Sequence, residues 1–203
     1  MKPILFNTDM VRAILDGRKT VTRRVVKPQP LAEVKTLYRK DDTNFWRTHG
    51  ADWWYEFRSP CVLGDILWVR ETWNRDWCDH YIYKADGGSA KAAGYAAEPK
   101  WRPSIHMPKE AARLFLRVTD VRVERLQDID DDGAKAEGAN YQDGKNVGWE
   151  EKMRRTAIDR FAEIWDNTIK PADRLRYGWE ANPWVWVIEF ERISNQPEGE
   201  TDG

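Results

Sequence analysis

The chain has only two cysteines, Cys61 and Cys78, in 203 residues. That excludes a disulfide framework and points to a reducing cytoplasm. Long apolar runs are missing too. The opening MKPILFNTDM reads neither as a signal peptide nor as a membrane span, so no membrane partner is expected. Neither sign of charge dominates: 33 Lys and Arg face 34 Asp and Glu. Affinity for a polyanion must therefore come from local clustering. Histidine is scarce, with His49, His80 and His106 scattered along the chain. Cys78-Asp79-His80 offers two metal ligands and Cys61 a third, but the spacing matches no strong pattern, and neither metal nor cofactor is expected. There is no P-loop, no Gly-x-Gly-x-x-Gly and no Gly-x-Ser-x-Gly elbow.

Tryptophan, by contrast, is abundant, with 12 residues. Tryptophan fills cores and also stacks on planar ligands. WWYEF, at 53–57, lies in a polar stretch that reads as loop. An exposed aromatic patch of Trp46, Trp53 and Trp54 would mark a protein-docking surface. Trp73 and Trp101 could stack a base, although core packing accounts for either.

Asn7 or Thr8 caps a short helix whose face is Met10, Val11, Ile14 and Leu15. Gly17 stops it, since glycine tolerates the left-handed conformation. TVTRRVV follows as a strand, with Thr20, Thr22, Arg24 and Val26 on one face and Val21, Arg23 and Val25 on the other. KPQP ends it. Residues 31–60 show no clear period. Residues 66–72 form a strand, and 74–110 read as a long insertion closed by WRPSIHMP, whose prolines hold Ser104, Ile105 and His106 in stiff extended backbone. RLFLRVTDVRVERL is a long strand, or two joined at Thr119-Asp120. DIDDDGAKAEGA is a short helix with acids at its positive end. In 150–169, Met153, Ala157, Phe161, Ile164, Trp165 and Thr168 form a helical stripe. NPWVWVIEFERI is the last strand, and 195–203 read as a disordered tail. Helices and strands mix without strict alternation, which predicts an α+β fold around a curved or barrel-like, mainly antiparallel sheet.

GRKTVTRR, at 17–24, places four cations and two threonines in eight residues. Preceded by a short apolar helix, it resembles the signature of the ASCH domain. GDILWVRE, Ala134-x-x-Glu137 and WVWVIEFERI are similar, in order, to three further segments of that family. The resemblance runs from residue 4 to about 193. It implies a PUA-like β-barrel with flanking helices, a single domain over 1–194, and additions at about 27–60 and 74–110. WRPSIHMP is also similar to phage and prophage proteins of the family. Small relatives are N(4)-acetylcytidine amidohydrolases, in which a lysine, a threonine and a glutamate form the site. Those positions fall on Lys19, Thr22 and Glu137, with Arg24 at a further basic position.

The chemistry suits these residue types. Deacylating an exocyclic amine needs a base, a nucleophile and help for the oxyanion. A lysine buried beside Arg18, Arg23 or Arg24 would lose its proton more easily and could activate Thr22 or a water. Glu137 could hold the amine or carry a proton. Glu71 could line the pocket or form a salt bridge, and His106 could reach the site or make a structural hydrogen bond. Three functions follow: hydrolysis of an acylated cytosine nucleoside, non-catalytic binding of RNA or modified nucleic acid, or docking on a host protein through the insertions. A ribonuclease would want a histidine pair near the motif, and none is there.

Overall fold

The structure is a computed structural model and describes residues 1–30, 38–39, 45–49, 54–76, 78–87, 100–139 and 156–193. Its main elements are β1 (Lys2–Leu5), α1 (Thr8–Leu15), β2 (Val21–Val25), β3 (Tyr38–Arg39), β4 (Phe45–His49), β5 (Trp54–Arg58), β6 (Ile66–Arg70), β7 (Trp73–Arg75), β8 (Tyr81–Tyr83), β9 (Phe115–Arg125), α2 (Asp131–Ala136), α3 (Ala157–Thr168), α4 (Arg174–Tyr177) and β10 (Trp184–Ile193). The class is mixed α+β. Five strands pair in the order β1-β6-β9-β10-β2, beside a three-stranded sheet β3-β4-β5 and the pair β7-β8. Pairing is mainly antiparallel, but β1 runs parallel to β6. Among the described residues these sheets are open and close no barrel. No helix among them is long and apolar enough to cross a membrane.

The chain divides into two compact units. The first comprises 1–17, 64–117 and 191–203. Here α1 starts on Asn7, whose side chain accepts from the Met10 N–H, and buries Val11, Ala13 and Ile14. Gly17 follows the helix at φ 72°, in the left-handed region expected of it. Strand β6 buries Leu67, Trp68 and Val69, and Trp73, Met107 and Ala111 form a small cluster of their own.

The second unit comprises 18–63 and 118–190. Its core joins Val21 of β2, Leu126, Ile129, Ala134 of α2, Ala157, Phe161 and Trp165 of α3, and Val185 and Val187 of β10. Helix α3 opens with a Thr156–Asp159 capping box. Its buried residues Ala157, Phe161 and Trp165 recur every four positions, so they share one face, as the sequence stripe requires. Met153, at the start of that stripe, lies outside the described residues.

Two segments differ from the sequence reading. WWYEF contributes to β5, which pairs in register with β4, Trp46 opposite Phe57. Aromatics sit at consecutive positions in both segments, so alternation by two is hidden although cross-strand pairing is favourable. Ser104–His106, read as stiff extended backbone, is instead a single 3-10 turn in which the His106 N–H donates to the Pro103 carbonyl. RLFLRVTDVRVERL, read as one long strand or two, is one continuous strand over Phe115–Arg125.

Candidate functional site

The candidate site is built where the approach to β2 meets the end of α2, inside the second unit. Helix α2 is capped at its start by Asp130, whose side chain accepts from the Gly133 N–H. It ends at Glu137. Beyond it, Gly138 at φ 84° donates to the Lys135 carbonyl, and the Ala139 N–H to the Ala134 carbonyl. These two bonds make a Schellman motif, in which glycine adopts the left-handed turn that reverses the chain. The reversed segment is stitched to the residues before β2. The Thr20 N–H donates to the Ala136 carbonyl at 2.9 Å, the Thr20 carbonyl accepts from the Phe190 N–H, and Lys19 and Glu137 form an antiparallel bridge.

That bridge buries Lys19, which is 1% exposed. Its Nζ donates to the Val21 carbonyl at 2.7 Å, to the Glu137 carbonyl at 3.0 Å and to Glu137 Oε2 at 2.5 Å. All three ammonium donors therefore have acceptors. One acceptor is a carbonyl at the C-terminal end of α2, where a cation is favoured. Arg23, 4% exposed, completes the cluster. Its Nη1 lies 3.4 Å from Glu137 Oε1 and its Nη2 3.2 Å from Glu124 Oε2. The guanidinium also sits 5.8 Å from the centre of the Phe161 ring. Its Nε is buried and meets no acceptor among the described residues.

Burial pulls the Lys19 pKa below its ordinary value of 10.5, and the Arg23 and Arg24 cations pull the same way. The Glu137 carboxylate pulls it up by charge and hydrogen bond, and burial outweighs it. Arg24 is likewise lowered by burial, with Glu137 opposing.

The structure thus brings Lys19, Glu137 and Arg23 into direct contact. Thr22 is 2% exposed on β2, opposite Ile188 of β10. Arg24, two residues on, pairs in register with Trp186. Arg18 is exposed and reaches the Gly138 carbonyl at 3.5 Å. Glu71 and His106 belong to the first unit. Glu71 is buried there and accepts from Arg113 through both oxygens, at 2.9 and 3.0 Å, and the same guanidinium lies 2.7 Å from Asp86. His106 is exposed in a short turn, Ser104–His106. Trp46 is buried, edge-on to Trp186 at 5.9 Å, and Trp53 lies outside the described residues. Among the described residues no group of His, Cys, Asp and Glu is placed to hold a metal ion.

One member of the cluster is absent from the sequence reading. Glu124 of β9 links Arg23 to Arg122, whose Nε lies 2.5 Å from Glu124 Oε1. The signal was the alternation in β9, which sets Asp120, Arg122 and Glu124 on one face.

Gly133 keeps the cluster closed. A Cβ added there would lie 2.9 Å from Asp130 Oδ1, 3.2 Å from Ile129 Cγ1 and 3.4 Å from Arg23 Nη2. Gly133→Ala ought to gain helix propensity, yet it is expected to destabilise by about 1–3 kcal/mol through overpacking. Urea unfolding checks this. A variant as stable as wild type would mean that the cap and Arg23 yield freely.

No known family model matches the chain, and no curated protein matches it. Among solved structures, the crystal structure of protein EF3133 from Enterococcus faecalis V583, described as DUF984, is similar to it with a TM-score of 0.41 and 11% identity. The likeness covers 98% of this chain and 86% of that one. At that level it carries no argument about fold or function.

Proposed function

We propose that the chain is an ASCH-type, PUA-like protein that binds a nucleoside beside Lys19 and hydrolyses the amide of an acylated cytosine nucleoside. The observation that carries the reading is the buried contact of 2.5 Å between Lys19 Nζ and Glu137 Oε2. The family resemblance assigns these two residues to one site although 118 positions separate them. Ionisable groups shifted by burial and by a named charge partner are typical of functional sites.

In the proposed reaction, neutral Lys19 removes a proton from Thr22 or from water, and the resulting oxygen attacks the acyl carbon. The proton taken up by Lys19 passes across their hydrogen bond to the Glu137 carboxylate, which delivers it to the exocyclic amine as the C–N bond breaks, so both residues end as they began. With water as nucleophile the products are the free nucleoside and the carboxylic acid; with Thr22 the acyl group is first held as an ester, which water then hydrolyses. The unpartnered Nε–H of Arg23 is a donor for the developing oxyanion.

A second reading has its own support. Three acceptors around Nζ are the environment of a lysine that keeps its proton. A permanently charged Lys19 fits a non-catalytic site for RNA or modified nucleic acid, with exposed Arg18 contributing to phosphate contacts. Incubation with a panel of acylated nucleosides, followed by chromatography, separates the two. Turnover supports hydrolysis. No turnover, with RNA binding that weakens as salt rises, supports the reader.

A further inference from the structure

The Lys19–Glu137 contact is the inner end of a longer chain of charges in the second unit. Glu189 pairs with Arg122, and Arg122 Nε lies 2.5 Å from Glu124 Oε1. Glu124 Oε2 lies 3.2 Å from Arg23, Arg23 lies 3.4 Å from Glu137 Oε1, and Glu137 Oε2 lies 2.5 Å from Lys19. The signs alternate at every link. The outer members are part-exposed, with side-chain exposures of 39% for Glu189 and 37% for Arg122. Glu124 is 23% exposed, Arg23 2% and Lys19 0%. Charges that neutralise one another along such a path hold each neighbour in place, and interaction strengthens as water is excluded.

We propose that Glu124 is a positioning residue for the Lys19–Glu137 pair, acting through Arg23. The Arg23 guanidinium is shared between two carboxylates. A Cβ added at Gly133 would lie 3.4 Å from Nη2 on one side, and the Phe161 ring lies on another. With packing restricting its movement, the pull of Glu124 sets how far the Arg23 cation leans toward Glu137. Glu124 also offsets part of the positive charge that Arg23 presents to Lys19. Among the described residues, the charged groups facing Lys19 include Glu137 at the end of α2 and Arg23 and Arg24 on β2. Arg122 has the opposite influence, because it draws on the other oxygen of Glu124.

The catalytic part of this inference rests on the hydrolytic reading, but the coupling does not. The direct test is a titration of Lys19 in the full chain, followed by NMR of 13Cε-labelled lysine, with the resonance assigned by its loss in Lys19→Met. Glu124→Gln is expected to move the Lys19 titration to lower pH, because Arg23 is less screened. Arg122→Gln is expected to move it to higher pH, because Glu124 is freed toward Arg23. Glu124→Asp should fall between wild type and Glu124→Gln. On an acylated nucleoside that is turned over, Glu124→Gln should lower kcat by up to about 100-fold with KM little changed, as misplacement of a reacting group does. A Lys19 titration unmoved in both Glu124→Gln and Arg122→Gln overturns the proposal. Opposite shifts without turnover of any nucleoside leave the coupling standing and remove the hydrolytic reading alone.

Discussion

Glu137→Ala is expected to destabilise the protein by about 3–5 kcal/mol, the cost of leaving a buried charge without its partner. Lys19 is 1% exposed, and its Nζ meets the Glu137 carboxylate at 2.5 Å. Removing Glu137 also removes an influence that raises the Lys19 pKa, so this pKa falls further. The sign of the pH effect follows. The unfolded lysine titrates near 10.5, above the folded value, so the unfolded chain binds more protons between the two. Stability therefore rises with pH in that window, and the window of Glu137→Ala extends lower than that of wild type. The deficit of the variant should narrow as pH climbs through the gap between the two folded values. Urea unfolding across alkaline pH checks both the size and the trend. The double variant Lys19→Met, Glu137→Gln removes both charges and should recover most of the loss. A Glu137→Ala protein as stable as wild type at neutral pH would mean that Lys19 is not held in this burial.

Trp165→Ala is expected to cost a comparable amount, about 3–5 kcal/mol, by opening a cavity in the core of the second unit. The ring packs at 6.1 Å from Phe161, and its Nε1 donates to the Tyr177 carbonyl at 2.8 Å. The substitution thus deletes buried area and leaves a carbonyl without its donor. Phe161 carries Arg23 over its ring, so loss of this packing also loosens one wall of the charge cluster. Trp165→Phe keeps most of the volume and should cost clearly less. Equal losses for Trp165→Ala and Trp165→Phe would show that the hydrogen bond, not the cavity, dominates.

Local chemistry was the legible part of this sequence. Asn7 before an apolar stripe, Gly17 after it, and Ala157, Phe161 and Trp165 at spacings of four are all short-range signals. Each corresponds to an element with the expected cap or face. The Schellman turn at Gly138, which aims Glu137 at Lys19, depends on the chain it folds back against. Pairing between distant strands left no local trace. The parallel partnership of β1 and β6 and the three-stranded sheet of β3, β4 and β5 are examples. Aromatic runs occupying both faces of a strand erased the alternation that would have marked it.

The site divides the same way. The cationic octet was conspicuous, but the direction of Lys19 was not, because it stands outside β2, where alternation does not reach. Arg23 was read on the face opposite Thr22 and Arg24, and it does lie on the Val21 side, against Phe161 and Glu137. What no spacing reveals is that Glu124, 101 residues away, shares its guanidinium. Long-range ion pairs carry no period. Glu71 shows the same limit: an acid just after a strand left a pocket wall and a salt bridge equally open, and it is the fold that sets both its oxygens against Arg113.

The central claim is that the buried Lys19–Glu137 pair serves a reaction rather than stability alone. It is tested most directly by incubating N(4)-acetylcytidine with wild type and with the Lys19→Met, Glu137→Gln double variant, and following release of cytidine. The account predicts turnover by wild type and none by a double variant whose unfolding midpoint is close to wild type. Equal turnover by the two proteins, or none by wild type on this or any other acylated nucleoside, would contradict it.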